Sequence, residues 1–259
     1  MRKLFLTFIL FSAFMPLLLV RAGEVDSPAQ LTAAQIVDKS VAARGGLQGW
    51  RAVQAISFSG KMDAGGKGKD IVQLPFVLEM KRPRKMRVEI EFAKQKALQV
   101  YDGVNGWKVR PFLGRNDVEP FSPEEANSAA MEPDLDGLLV DYATKGNKVE
   151  LEGTEKVEGH DAYKLKVTTK ANQLRHVWVD SQSFLEVKID GVPRRMDGRP
   201  RPVQIYLRDY KAVNGLMFPY TLETVVQGFQ PSHKMTIETV TVNPKLEDSL
   251  FVKPQLSGK

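Results

Sequence analysis

The sequence predicts an antiparallel β protein of about eleven strands with one helical interruption, and three observations carry that prediction. From Lys85 to Phe92 the chain alternates strictly, with Lys85, Arg87, Glu89 and Glu91 on one side and Met86, Val88, Ile90 and Phe92 on the other. Neighbouring strand side chains point to opposite faces, so one face is wet and the other buried. Parallel sheets covered on both faces read as continuous apolar runs, so clean alternation indicates antiparallel pairing with one solvated face. The second observation is that most connectors are short and rich in turn residues, as hairpin order requires. The third is that only residues 115–147 break the strand pattern at length, and they carry helix signals.

Before the first element, Arg2 and Lys3 precede an apolar run from Leu4 to Val20, and Val20-Arg21-Ala22 ends it with residues a signal peptidase accepts. Residues 1–22 are therefore read as a signal peptide cleaved after Ala22, which implies export to the periplasm. The alternative is a retained anchor, since the run is near the ~17-residue lower limit for a spanning helix. Residues 23–31 form a polar linker, and 32–259 are expected to make a single domain. The chain has 0 cysteines, which excludes disulfides, thiolate chemistry and a lipid carried on cysteine. The net charge of +6 falls to +3 without Arg2, Lys3 and Arg21, a balance that gives no case for a nucleic-acid partner.

Thr32-Ala33-Ala34-Gln35 has the capping-box pattern, so a helix begins there and runs to about Arg44, where Gly45-Gly46 stops it. Ile36, Val37, Ser40 and Val41 form its apolar face, and Leu47 and Trp50 are expected to pack beneath it. Val53 to Met62 is the first strand. The run Gly65-Gly66-Lys67-Gly68-Lys69 lacks the spacing of a phosphate-binding loop, has Asp70 where the hydroxyl belongs and leads into a strand, so it reads as a hairpin loop. Leu74, Phe76, Leu78 and Met80 keep the two-residue period up to Lys81-Arg82-Pro83, where the proline ends pairing. Asp102-Gly103 and Asn105-Gly106 supply turns around Tyr101 and Trp107.

Within 115–147, Ser122-Pro123-Glu124-Glu125 places an N-cap, a first-turn proline and first-turn acids, so a helix runs to about Met131. From Asp134 a second helix is expected, with Leu135, Leu138, Leu139 and Tyr142 on one stripe, ending near Gly146. Strands follow at Val149 to Thr154, Ala162 to Thr169, Leu174 to Asp180, Leu185 to Asp190, Val203 to Val213, Met217 to Gln227 and Lys234 to Val242. The loop Gly191 to Pro202 differs from the others in carrying Arg194, Arg195, Arg199 and Arg201. Its two readings are a solvated edge and a contact for phospholipid headgroups or an acidic partner.

No catalytic constellation is legible. His160, His176 and His233 fall in separate segments without metal-site spacing, and there is no GxSxG elbow. Acid pairs such as Glu124-Glu125 sit where a helix start favours negative charge. The chain is read as a non-enzyme with no cofactor and no metal.

Lys81-Arg82-Pro83, then Arg87, then Asp102-Gly103-Val104-Asn105-Gly106-Trp107 resemble the KRP, arginine and DGxxxW run of the LolA-like superfamily, the periplasmic outer-membrane lipoprotein-sorting carriers and their relatives. Weaker likeness covers Ala43-Arg44-Gly45-Gly46 with Trp50, the Gly159 to Asp180 hairpin, and Asp209-Tyr210 with Gly215 to Pro219. The resemblance implies an incompletely closed antiparallel barrel, a half-barrel covering helices and an apolar cavity for acyl chains. It also implies that Arg82 lies at the mouth and bonds the lid formed by 115–147. The longer C-terminal half, the arginine loop and a different lid sequence depart from the compact carriers.

The apolar stripe Leu74, Phe76, Leu78, Met80, Met86, Val88, Ile90, Phe92 and Trp107 is then the candidate cavity wall, with Arg82, Leu135, Leu138, Leu139 and Tyr142 at lid and mouth. A closed barrel would bury the same stripe as packed core. A broad sheet, an amphipathic insert and adaptable methionines suit a cavity, and the resemblance agrees. The function implied is a monomeric periplasmic carrier that shields acyl chains of a lipoprotein or lipid for transfer to the outer membrane, with an inner-membrane release complex and an outer-membrane acceptor as partners. The alternative is an envelope sensor that detects lipid and binds a membrane regulatory partner.

Overall fold

The computed structural model describes residues 31–65, 71–132 and 134–255. The leader and most of the linker, the glycine-rich loop at 66–70 and residue 133 lie outside the described residues. Among the described residues no helix is long and apolar enough to cross a membrane.

Helix α1 (Ala33–Ala43) starts as the capping box requires: Thr32 Oγ1 accepts from the Gln35 amide at 3.3 Å, and Gln35 Oε1 accepts from the Thr32 amide at 2.9 Å. Ile36, Val37, Ser40 and Val41 are buried, as their spacing predicts. A short helix α2 (Leu47–Arg51) follows and buries Trp50.

The strands then run β1 (Ala55–Asp63), β2 (Gln73–Lys81), β3 (Lys85–Phe92), β4 (Gln95–Tyr101), β5 (Gly106–Arg110) and β6 (Arg115–Pro120), each pairing antiparallel with the one before. After helix α3 (Pro123–Met131) come β7 (Lys148–Val157), β8 (His160–Thr168), β9 (Leu174–Asp180), β10 (Glu186–Asp190), β11 (Arg194–Met196), β12 (Arg199–Arg201), β13 (Val203–Arg208), β14 (Lys211–Val213), β15 (Leu216–Phe218), β16 (Thr221–Val226) and β17 (His233–Val242). Thirteen strands form one antiparallel sheet in the order β6-β5-β4-β3-β2-β1-β17-β16-β13-β10-β9-β8-β7. The N-terminal wing, β1 to β6, and the C-terminal wing, the rest, are joined where β1 pairs with β17. The sheet does not close: β6 and β7 are its two edges, and the chain between them, residues 121–147, runs from one free edge to the other.

Strands as far apart in that order as β2 and β9 contribute to a single core. Phe76, Ile56, Leu165, Val167, Val177 and Val179 pack with Ile36, Val37 and Trp50 of the helices and with Leu135, Leu139 and Val140 of the insert. The sheet therefore curves around the helices. A bulge between Ser59 and Gly60 helps it bend. At Gly60 a side chain would meet the Thr236 carbonyl at 2.1 Å. On the outer face the segment after β17 crosses back over the N-terminal wing, where Lys81 and Lys85 hydrogen-bond Asp248 and hold its carboxyl pKa down to about 2.

Several boundaries depart from the sequence reading. Residues 115–120 form edge strand β6, so the interruption starts at Phe121 instead of 115. Its second half, 134–146, is a chain of turns and not a helix. Gly137 (φ 81) and Asp141 (φ 52) take left-handed conformations that interrupt helical bonding inside the stripe. The stripe still works: Leu135 and Leu139 are buried, and Leu138 and Tyr142 pack against the core. The expected strands 203–213 and 217–227 are each broken in two, the first at Asp209 (φ 57), which accepts from Thr221 Oγ1 at 2.6 Å. The freed β14–β15 hairpin leans on the start of the chain, the Met217 amide donating to the Arg44 carbonyl at 3.0 Å. This approach needs Gly45, whose φ is 108 and whose added Cβ would lie 2.3 Å from the Gly215 carbonyl oxygen. The arginine loop is a hairpin, β11–β12, missed because three-residue strands leave no readable period.

Candidate functional site

The insert is fastened in two different ways. Residues 134–146 plug the open side of the sheet with apolar side chains and are locked there by charge. Arg82, at the β2–β3 corner, donates to Asp134 Oδ2 at 3.0 Å, to Asp136 Oδ2 at 2.8 Å and to the Val53 carbonyl at 2.9 Å. Asp136, whose side chain is 4% exposed, also receives Lys145. Arg44 stacks on Trp50 at 4.4 Å and donates to the Asp136 carbonyl at 3.2 Å and to Glu186 Oε1 at 2.9 Å. Arg51 clasps Asp141 through two hydrogen bonds. A buried carboxylate is tolerated only when it is paired this fully.

Helix α3 is held more lightly, for it buries none of its residues. Its first turn is fixed by the Ser122 capping box and by an ion pair between Glu125 and the buried Lys108. Burial works to raise the Glu125 pKa, but the Lys108 hydrogen bond and the Ser122 amide outweigh it and keep the carboxyl below its ordinary range. At the other end Arg84 donates to the Ala130 and Glu132 carbonyls and Arg175 to the Met131 carbonyl at 3.3 Å. Cations belong at this end of a helix.

Open space gathers around this end of α3. One cleft of about 400 Å³ lies between α3 and the β10–β11 connection, with Met86, Gln99 and Phe121 among its walls. Another, of about 550 Å³, separates the insert from the β8–β9 turn, and a third, of about 470 Å³, lies between Met131, Leu174 and the prolines at 193, 200 and 202. Each falls in the ~300–1,000 Å³ range of small-molecule sites. A narrow gap lined by Met80, Met86, Tyr101 and Glu132 leads from this region to the inward face of the sheet. Glu132 borders this gap and two of the clefts. Its carboxyl is water-accessible yet crowded by protein, and desolvation raises its pKa against the pull of Arg175, Arg194 and Arg84.

The nine stripe residues do not share one environment. Phe76 is core, 2% exposed, and Leu78, Met80 and Ile90 pack against the core. Leu74, Met86 and Val88 are half-buried. Phe92 is 44% exposed and meets the edge of Phe112 at 5.8 Å. Trp107 is a correction. It pairs with Val100, which pairs with Arg87, so it belongs to the outer, charged face. The Asp102 to Asn105 turn sets this register, and the sequence alone did not give its length. The single hollow expected beneath the lid is also corrected: Leu135, Leu139 and Val140 occupy much of it, and the free volume lies in separate clefts.

Histidine is spread out. His160 and His233 are exposed on different strands, while His176 lies 2.7 Å from Asp190 and 3.4 Å from Glu152. Among the described residues no group of three His, Asp or Glu is arranged to hold a metal. The Arg44–Asp136–Glu186 cluster and Arg84 were not picked out as lid contacts. Asp134 and Asp136 on an otherwise apolar stripe, facing a KRP corner, were the available signal.

Among solved structures, the chain is similar to a LolA superfamily protein from Nitrosomonas europaea, with a TM-score of 0.55 and 16% identity over 86% of this chain and 99% of that one. The fold is LolA-like. A putative outer membrane lipoprotein-sorting protein domain from Vibrio parahaemolyticus has this fold in common with it (TM-score 0.54, 14% identity, covering 85% of this chain and 95% of that one). So does a DUF1329 family protein from Desulfovibrio piger (TM-score 0.55, 15% identity, covering 85% and 97%). No family model matches the sequence, and no curated protein matches it. In this LolA-like fold the KRP corner and the DGVNGW turn adjoin one another, since β2–β3 and β4–β5 share the N-terminal wing.

Proposed function

We propose that the protein is a non-enzymatic periplasmic carrier, exported by its leader, that takes an acyl chain of a lipoprotein or lipid onto the inward face of its N-terminal wing. It would receive that cargo from an inner-membrane release complex and pass it, as a monomer, to an outer-membrane acceptor. The observation that carries this reading is the half-covered apolar face of β3, Met86, Val88 and Ile90, next to a helix that buries nothing of its own. The LolA-like fold supports it.

An acyl chain entering beneath α3 gains ~0.8 kcal/mol per buried methylene, so about fourteen of them yield on the order of 10 kcal/mol before ordering and association costs. That is enough for a dry pocket to compete with a bilayer. Arg82 sets the threshold. Its bonds to Asp134 and Asp136 favour the closed insert, and a guest that displaces the insert must outbid them. Affinity is thereby lowered to a level from which the cargo can leave.

Native mass spectrometry of the protein recovered from its own envelope tests the reading. A retained acylated peptide or lipid, displaced by a long-chain fatty acid, is the expected result. Protein that carries no such mass and takes up no acyl probe in solution contradicts it.

A further inference from the structure

The β11–β12 hairpin projects between β10 and β13 and carries four arginines on six paired positions. Arg194 stands opposite Arg201, and the alternation of both strands puts Arg194, Met196, Arg199 and Arg201 on one face of the ribbon. Like charges directly opposite one another weaken a strand pair. Among the described residues no salt bridge or side-chain hydrogen bond neutralises them, and Glu132 attracts Arg194 only at longer range. Arg44, Arg51, Arg82, Arg87, Arg110, Arg115 and Arg208 each reach a carboxylate, and Arg84 and Arg175 each bond backbone carbonyls. Among the described residues the four of the ribbon make neither a salt bridge nor a side-chain hydrogen bond. Arg194, Arg195 and Arg199 are exposed, and Arg201, over the Phe229 ring at 5.6 Å, leaves its buried Nε–H without an acceptor. Glu124, Glu125 and Glu132 line the same cleft as Arg194 and Arg195, and none of them comes within 4.0 Å of a ribbon guanidinium.

We infer that this ribbon docks on an anionic phospholipid bilayer, its guanidiniums taking the phosphates that the protein itself does not supply. Guanidinium pairs with phosphate through two parallel hydrogen bonds, and a layer of headgroups offers many phosphates to a flat ribbon at once. A bilayer fits better than an acidic protein because the ribbon also walls an apolar cleft. Arg194 and Met196, both on the arginine face, line it with Met86, Phe121 and Val192, so the surface that attracts phosphates opens toward apolar side chains. The inference extends the carrier reading to the place of exchange, while the charge pattern behind it is independent of that reading.

Vesicle flotation of the protein recovered from its envelope tests it, comparing pure phosphatidylcholine with equal parts phosphatidylcholine and phosphatidylglycerol. The wild type is expected to gain affinity from phosphatidylglycerol and to lose that gain in high salt. The exposed-site variant R194Q/R199Q, which spares the half-buried Arg201 and the opposite-facing Arg195, should lose about fivefold per arginine, roughly twenty-five-fold in all. R194K/R199K should retain most of it, and unchanged melting temperatures show that both variants fold. No advantage from phosphatidylglycerol, wild-type flotation by the glutamine variant, or preferential binding of polyglutamate over the vesicles would each overturn the inference. A soluble fluorescent acyl probe separates the two readings. Equal uptake by wild type and glutamine variant leaves the carrier intact whatever the vesicles do, and uptake by neither sinks the carrier alone.

Discussion

On the inward face of β8 and β9, Leu165, Val167, Val177 and Val179 are no more than 1% exposed, whereas on the inward face of β3 Met86, Val88 and Ile90 stay half-buried and Phe92 is 44% exposed. Both faces are apolar and both belong to one sheet. They differ in what lies on them. The C-terminal wing is covered by α1 and the buried leucines of the insert, which make a packed core. The inward face of β3 lies near α3, none of whose own residues is buried. Packing is therefore tight across β8 and β9 and looser on the inward face of β3, where the proposed guest would lie.

Substitutions that shorten equivalent side chains separate the wings most sharply. Leu165→Ala should cost about 2–5 kcal/mol in urea unfolding, because it opens a cavity in a region with no freedom to collapse. Val88→Ala should cost less than about 1 kcal/mol and yet weaken uptake of an acyl probe. Equal costs, or an acyl defect in the Leu165 variant alone, would erase the distinction.

Arg82→Leu comes next, at about 1–3 kcal/mol, since Asp136 keeps Lys145 as a partner when the arginine is gone. Hydrogen exchange should quicken across 134–146 and leave β8 and β9 as protected as before, and acyl release should change. Unaltered exchange and release would remove Arg82 from the mechanism.

The smallest effect is an acid one. The Glu125 pKa is depressed in the folded state, so its contribution is fully present above the unfolded value of ~4.3 and is lost as pH falls through the lower folded value. Amides at the start of α3 should therefore lose protection in that window before those of the C-terminal wing. Lys108→Met should move the loss toward higher pH, and an α3 equally protected at every pH would show that this ion pair does not hold it.

What the sequence made legible follows from period and punctuation. Strict alternation located β3 at its observed ends, and the capping boxes at Thr32 and Ser122 located the starts of α1 and α3. What escaped depended on partners distant in sequence. Residues 134–146 have a helical stripe, but Gly137 and Asp141 take left-handed conformations where Arg82, Arg51 and Lys145 bind Asp134, Asp141 and Asp136. Trp107 was assigned to the wrong face because alternation within a strand carries no information about register across a turn. The apolar stripe itself was visible, but which part of it would be covered depended on where the insert settled.

A palmitate analogue with a diazirine on its chain tests the central claim directly, by photolysis of the loaded protein and mapping of the labelled peptides. Adducts concentrated between Met80 and Phe92 and on α3, with the β8 and β9 peptides unlabelled, are predicted. Labelling confined to the outer face around Trp107, or spread evenly over the chain, would contradict the account.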